Sequence, residues 1–528
     1  MPLHPILIDG AWRPARSTGS FHAENPATGT VLPGEYPTSS WADCDEALTA
    51  AARAAVFLRS TPPEKIARFL SLYADRIDAR ADELVEMAHA ETGLPQSPRL
   101  REVELPRTSG QLRQAAAAVL EGSWALPTID TKAGLRSVLA PLGPVLVFGP
   151  NNFPYAYNGI AGGDFTAALA AGNPVIAKAH PSHPGTSRLL AEEAIAAVGE
   201  CDLPPATVQM LYNIAPEDGL RLAADPRLGA IGFTGSRNAG LRLKAAADAV
   251  GKPIYAELSS LNPIVVLPGA LSERGPAIAA ELVKSCLMAS GQFCTSPGIT
   301  FLLAGDDAEK FIASAKVQLE AAPVVPLLSA GVARFLAASV KTLQAGGAQL
   351  VTGGQPVEGP GARFQNTLLR ATAEEFLAAP DKLQTEAFGN ASLIVTVRDF
   401  AQAAAILAHL EGNLTASIYS STDSSDDAVY AAIAPLLRQR VGRLLNDRMP
   451  TGVAVSPAMN HGGPFPATGH PGFTAVGIPA ALRRFAALHC YDHVRAARLP
   501  LSLQDKNPNG QMWRLIDGSW TQGDVVNG

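Results

Sequence analysis

The sequence predicts an α/β fold: a doubly wound parallel sheet over about residues 140–290, followed by a second α/β lobe. Three observations predict it. Short apolar runs of about four residues are each followed by an Ala-rich stretch of helical period. Gly and Pro bound these runs, as expected of strands covered on both faces. The composition, 47% hydrophobic and 17% charged over 528 residues, can bury a large core and excludes wholesale disorder.

Helices are expected near 42–59, 64–91, 109–121, 186–198, 238–250 and 274–290, with Ser40 and Thr61-Pro62-Pro63 as start signals. The intervening strands are Val145–Phe148, Val175–Ala177, Val208–Leu211, Ala230–Phe233 and Ile264–Leu267. The second set follows: Ile299–Leu303, helices near 307–320 and 330–346, then Ser392–Val397. The tail after about 485 has short apolar runs that pattern alone does not place.

With 42 basic and 48 acidic side chains, the chain is mildly acidic at −6. No long Lys/Arg run is present, which argues against nucleic acid or an anionic membrane as partner. No apolar stretch approaches the ~18 residues of a membrane span. The start, Met1-Pro2-Leu3-His4-Pro5, is not expected to act as a secretory signal. Five scattered cysteines (Cys44, Cys201, Cys286, Cys294, Cys490) make no disulfide framework. A cytoplasmic location is the expectation, with no metal site.

Five segments carry candidate chemistry. Cys294 lies in Gly291-Gln292-Phe293-Cys294-Thr295-Ser296-Pro297, a turn where backbone amides can stabilise a thiolate and an adjacent oxyanion. A lone cysteine is more often a small buried residue. Glu257 ends an apolar run, and a carboxylate so placed suits a general base. Asn152, in Pro150-Asn151-Asn152-Phe153-Pro154, follows a strand at the end where ligands bind, and its amide can donate to a developing oxyanion. Lys178 leaves the next strand toward ribose or phosphate. Phe233-Thr234-Gly235-Ser236 leads into a helix whose N-terminus attracts phosphate, although no GxGxxG fingerprint occurs. Each segment alone has an ordinary reading as a loop, cap or surface residue.

Taken together, these segments resemble the aldehyde dehydrogenase superfamily over nearly the whole chain. The matching stretches are Gly149–Pro154, Lys178, Phe233–Ser236, Glu257-Leu258, Gly291–Cys294, Glu386-Ala387-Phe388-Gly389 and Asn446. Gly162-Gly163-Asp164, Lys178–Pro181, His183–Ser187, Arg107–Arg113, Pro450–Val453 and His461–Pro464 resemble its 2,5-dioxovalerate (α-ketoglutarate semialdehyde) dehydrogenase branch. The sequence departs from that branch at Val455–Asn460 and Thr468–Gly472, where the substrate pocket is expected to differ.

The resemblance implies a Rossmann-like cofactor domain (1–120 and 141–258), a second α/β catalytic domain (259–445), a small β oligomerisation arm (121–140 and 485–528) and a pocket segment (446–484). It implies oxidation of an aldehyde to an acid, with Cys294 as nucleophile, Asn152 as oxyanion donor and Glu257 activating water. Lys178, Ser182, Gly235, Ser236, Glu386 and Phe388 would hold the dinucleotide. Pro181 stands where many NAD-dependent relatives carry a glutamate, so NADP is expected, with NAD possible. A short carboxylate-bearing semialdehyde such as 2,5-dioxopentanoate would meet Phe153, Arg107, Gln111 and Arg113. A homodimer or homotetramer is implied. The rival readings are a dehydrogenase of another aliphatic or aromatic aldehyde, a cysteine hydrolase or acyltransferase using one of His180, His183, His461 or His470, transfer to coenzyme A, and a non-catalytic homologue.

Overall fold

The computed structural model describes residues 3–526. Its first sheet has seven strands in the spatial order Ile254–Glu257, Ala230–Thr234, Val145–Phe148, Val175–Lys178, Val208–Leu211, Ile6–Ile8, Ala11–Arg13. The first five run parallel, and the two N-terminal strands add antiparallel at the edge. Chain order reverses at Val145–Phe148, so a ligand crevice opens outside the carboxyl ends of Val145–Phe148 and Ala230–Thr234.

The second sheet also has seven strands: Gln349–Thr352, Thr367–Thr372, Ala391–Val397, Ile299–Leu303, Ile264–Val266, Asn413–Tyr419, Val441–Asn446. All pair in parallel except Gln349–Thr352. Its strands are apolar runs such as Ile299–Leu303, with helices packed on both faces. A third sheet joins the tail to the middle of the chain. There Ala486–Asp492 pairs with Leu135–Pro141, and Arg514–Ile516 pairs with Thr128–Asp130. Among the described residues no helix is long and apolar enough to cross a membrane.

Local expectations are corrected in three places. The stretch 64–91 is two helices, Pro63–Ala79 and Ala81–Thr92, broken at Arg80, whose guanidinium bonds Glu83, Glu192 and Glu193. The hydroxyls of Ser40 and Thr61 cap no helix: Ser40 Oγ is buried without a partner, and Thr61 Oγ1 donates back to Phe57 O. The helix expected from 274 begins at Pro268 and bends at Arg274, two residues before Pro276.

A buried ion pair ties the first sheet's helices to the segment before the tail. Arg484, 2% exposed, lies 2.7 Å from Asp164, and its guanidinium packs over Phe485, Phe473 and Tyr255 at 4.9, 5.1 and 5.7 Å. Removing one partner leaves the other charge buried and unpaired. Asp164→Ala is therefore expected to cost ~3 kcal/mol or more, read as a lowered urea midpoint. A loss under ~1 kcal/mol, the scale of an exposed pair, would contradict this account.

Candidate active site

Three side chains from distant parts of the chain meet between the two large sheets. Glu257 is the last residue of Ile254–Glu257 and is 1% exposed. Cys294 sits on the turn that leads into Ile299–Leu303, and its thiol lies 3.4 Å from His461 Nε2. The same nitrogen lies 3.2 Å from the Glu257 carboxylate. His461 is 2% exposed. One nitrogen carrying one proton cannot serve both neighbours as a donor. Protonated, Nε2 donates to Glu257; bare, it accepts the thiol proton. The arrangement can therefore move a proton from sulfur to nitrogen while the carboxylate stabilises the result.

The backbone explains how these groups arrive. Ala289, Ser290 and Gly291 are all left-handed (φ 48, 54 and 70°) and swing the chain out of the helix Pro268–Leu287 toward Cys294. Two non-glycine residues held there cost ~1–3 kcal/mol each. A Cβ on Gly291 would stand 2.0 Å from Gly389 O, so the close approach also demands glycine. Asn262, itself left-handed (φ 50°), donates through Nδ2 to Cys294 O and Ser296 O, both at 2.9 Å, and so pins the turn. His461 rides on a loop laid directly against strand backbone. A Cβ on Gly442 would lie 1.8 Å from Gly462 O, and one on Gly462 would lie 2.2 Å from Phe473 O.

The electrostatics are set by burial. Burial, with the Glu257 carboxylate adding to it, pushes the Cys294 thiol well above its ordinary range; Arg107 acts in the opposite sense. Burial also raises Glu386 to about 8, and Ser260 N–H donates to its Oε1 at 3.4 Å. At Lys178 burial alone acts, lowering it to about 8.

Asn152 is 7% exposed, and its Nδ2 donates to Gln292 O at 2.8 Å. That uses one of its two hydrogens. The backbone amide of Cys294 donates to no carbonyl among the described residues. Both remain able to meet an oxyanion beside the sulfur.

A cavity of about 970 Å³ reaches Cys294. Phe153 forms part of its wall, edge-on to Tyr157 and Phe293 at 5.1 and 5.2 Å. Arg107 reaches it too and donates to Tyr157 Oη at 3.0 Å. Two expected substrate residues do not reach it. Arg113 is on the outer face of the helix Leu105–Glu121, paired with Asp75 and Asp78 at 2.7 Å each. Gln111 is 1% exposed and turned toward Gly163 in the protein interior. Helical spacing accounts for Arg113, which at six residues from Arg107 falls on another face, while Gly110 and Gln114 line the cavity; Gln111, four residues from Arg107, is instead taken up by packing against Gly163.

The expected cofactor residues lie elsewhere, none of them on the cavity wall. Lys178 ends its strand, and Ser182 follows on the loop, its N–H donating to His180 Nδ1. Gly235 and Ser236 follow Ala230–Thr234 at the order reversal. The Ser236 hydroxyl caps its own helix by accepting from Ala239 N, which leaves its O–H free to donate to a phosphate. Glu386 and Phe388 are half-buried on a loop of the second lobe.

Sequence reasoning missed His461 as a partner of Cys294, because four histidines were available and spacing selected none. It also missed Asn262, whose signal is an asparagine at a left-handed turn before Pro263. Arg99 and Arg448 on the cavity wall carried no signal at all.

The comparisons with known proteins agree. The profile of the aldehyde dehydrogenase family matches residues 12–454. Alpha-ketoglutaric semialdehyde dehydrogenase 2 of Azospirillum brasilense is 39% identical over 98% of this chain and 99% of its own. Alpha-ketoglutaric semialdehyde dehydrogenase of Acinetobacter baylyi is 36% identical over 91% and 92%. Among solved structures, a cysteine-to-alanine mutant of aldehyde dehydrogenase C of Pseudomonas syringae, complexed with NAD+ and octanal, superposes with TM-score 0.79 at 22% identity. The match covers 94% of this chain and 98% of that one. Lactaldehyde dehydrogenase of Escherichia coli gives 0.78 at 23%, over 93% and 99%. The chain belongs to the aldehyde dehydrogenase family and is an NAD(P)-dependent oxidoreductase that oxidises an aldehyde.

Proposed function

We propose that this enzyme oxidises a short semialdehyde bearing a carboxylate, of the α-ketoglutarate semialdehyde class, with NADP as the favoured cofactor. The observation that carries the substrate reading is the charge of the cavity. Three guanidinium groups line it, and only Arg99 is neutralised, by buried Glu104. Arg107 and Arg448 have no carboxylate partner among the described residues, so the wall offers positive charge to an anionic end. The names of the two relatives from Azospirillum and Acinetobacter support the same substrate.

The cofactor reading rests on Lys178, half-buried at its strand end, with no carboxylate partner among the described residues and Pro181 three residues on. A phosphate on the adenosine ribose would restore its charge. The crevice at the order reversal, the helix N-terminus after Ser236 and Glu386 fit the rest of a dinucleotide. When bound, the nicotinamide supplies the acceptor for hydride.

The chain's own residues do the rest. His461 accepts the thiol proton, and Cys294 attacks the aldehyde carbon to give a thiohemiacetal. Asn152 Nδ2 and the Cys294 amide donate to its oxyanion, at ~3 kcal/mol per donor. After oxidation to the thioester, Glu257 takes a proton from the attacking water and the acid is released. Arg107 holds the far carboxylate. A cytoplasmic homo-oligomer, with the sheet of residues 128–141 and 486–521 as its arm, completes the reading.

Four outcomes are expected. First, Arg107→Ala should raise KM for a carboxylate-bearing semialdehyde at least ~10-fold more than for a neutral aldehyde, whereas Arg113→Ala should not discriminate. Equal effects of Arg107→Ala on both substrates would remove the assignment. Second, kcat/KM should favour NADP over NAD, and the NADP value should fall as pH rises through about 8, because free Lys178 is charged below that pH and neutral above it. A preference for NAD by more than ~10-fold would refute it. Third, iodoacetamide should alkylate cofactor-free Cys294 ~10-fold faster per pH unit from 7 to 9, because the thiol is held neutral. A flat profile would mean that the thiolate is already formed. In steady-state turnover, His461→Asn should lower kcat by ~100-fold or more.

A further inference from the structure

We propose that Cys294, His461 and Glu257 form a binding site for a divalent transition-metal ion of zinc-like chemistry, and that filling it reversibly shuts off the nucleophile. The sulfur, the imidazole nitrogen and a carboxylate oxygen all lie within 4.8 Å of one another. Around a tetrahedral zinc ion, sulfur at ~2.3 Å and nitrogen or oxygen at ~2.0–2.1 Å stand ~3.3–3.6 Å apart. The observed separations are 3.4 Å for sulfur to nitrogen and 3.2 Å for nitrogen to oxygen.

A second observation points to a ligand. Glu257 Oε2 is buried and has no hydrogen-bond partner among the described residues. It lies 3.2 Å from His461 Nε2 without receiving a hydrogen bond from it, and a buried acceptor without a donor is costly. The donor set selects the metal. Thiolate and imidazole favour zinc, cobalt and nickel over magnesium and calcium, which want oxygen alone. Three protein ligands leave one tetrahedral position to water, and the cavity supplies access to Cys294.

Binding balances as an exchange. The metal forms a bond to sulfur, the S–H bond breaks, and one proton leaves to solvent. The sulfur lone pair that would attack a carbonyl carbon is then committed to the metal. Binding rests on the geometry of the three side chains alone; the shut-off rests on the reading of Cys294 as nucleophile.

The test uses the full chain, free of cofactor, titrated with Co2+ and with Zn2+. Cobalt should produce a thiolate-to-metal charge-transfer band in the near ultraviolet with ligand-field absorption in the visible. Calorimetry with zinc in two buffers should report about one proton released per metal at pH 7. Cys294→Ser should abolish the band. Loss of an outer-shell partner already costs ~10–100-fold in affinity, so His461→Gln and Glu257→Gln should each weaken cobalt binding at least ~10-fold. Cys490→Ser, at an exposed thiol remote from the site, should leave the band intact. Zinc should stop aldehyde oxidation, and a chelator should restore it.

No charge-transfer band, a band that survives Cys294→Ser, or unchanged affinity in both His461→Gln and Glu257→Gln would overturn the site. Metal binding without loss of turnover would overturn the shut-off. Oxidation that persists in Cys294→Ala in metal-free buffer would instead refute the nucleophile assignment and leave the metal result standing.

Discussion

One imidazole nitrogen holds the site together. His461 Nε2 touches both the sulfur and the carboxylate, and these belong to segments 167 and 204 residues away in sequence. The contact exists only because a loop can lie flat on the strand Val441–Asn446. Gly442 and Gly462 permit that, since any Cβ there would collide with backbone oxygen. The three-residue left-handed turn before Cys294 does the corresponding work from the other side. Strain in one turn and the absence of side chains in another are offset by the packing of two large sheets. This is the arrangement expected where function rather than stability sets the local backbone.

Electrostatic roles follow from how each charge is accompanied. Arg99 is shielded by Glu104, whose Oε1 also accepts from the amides of Tyr155 and Ala156. That carboxylate anchors the loop after Asn152 and removes one positive charge from the cavity. Arg107 is accompanied only by the phenol of Tyr157 and by aromatic faces. A guanidinium held by rings and a hydroxyl keeps most of its capacity to meet a carboxylate. The cavity thus holds one guanidinium neutralised by a carboxylate and another left without one.

The sheets were legible because their signal is local. Runs such as Val145–Phe148 and Val208–Leu211 have the observed boundaries, since a buried parallel strand is an apolar run between turn residues. Cys294, Glu257 and Lys178 stand out in the sequence because each ends or follows such a run. What failed was of a different kind. Arg113 was grouped with Arg107 by proximity in sequence, whereas a helix sends residues six apart to different faces, and the acidic side chains of Asp75 and Asp78 claim Arg113. His461 could not be singled out, because its role comes from a loop crossing between sheets, and no periodicity encodes that. Residue type alone suggests caps at Ser40 and Thr61, but capping needs the hydroxyl to face the free amides.

Lys178 shows how burial can prepare a binding site rather than stabilise a fold. Lys178 is half-buried at the end of its strand without a carboxylate partner, and its partly desolvated ammonium holds its proton less firmly than in water, near 8. Neighbouring His180 and His183 cannot help: burial drives both toward the neutral form, and Lys178 acts in the same direction. An arriving anion would face a cation whose hydration is already thinned and which has no internal partner to give up. The interaction gained on binding is then large, because the desolvation was incurred when the chain folded. Pro181, three residues on, adds no carboxylate that would compete for it.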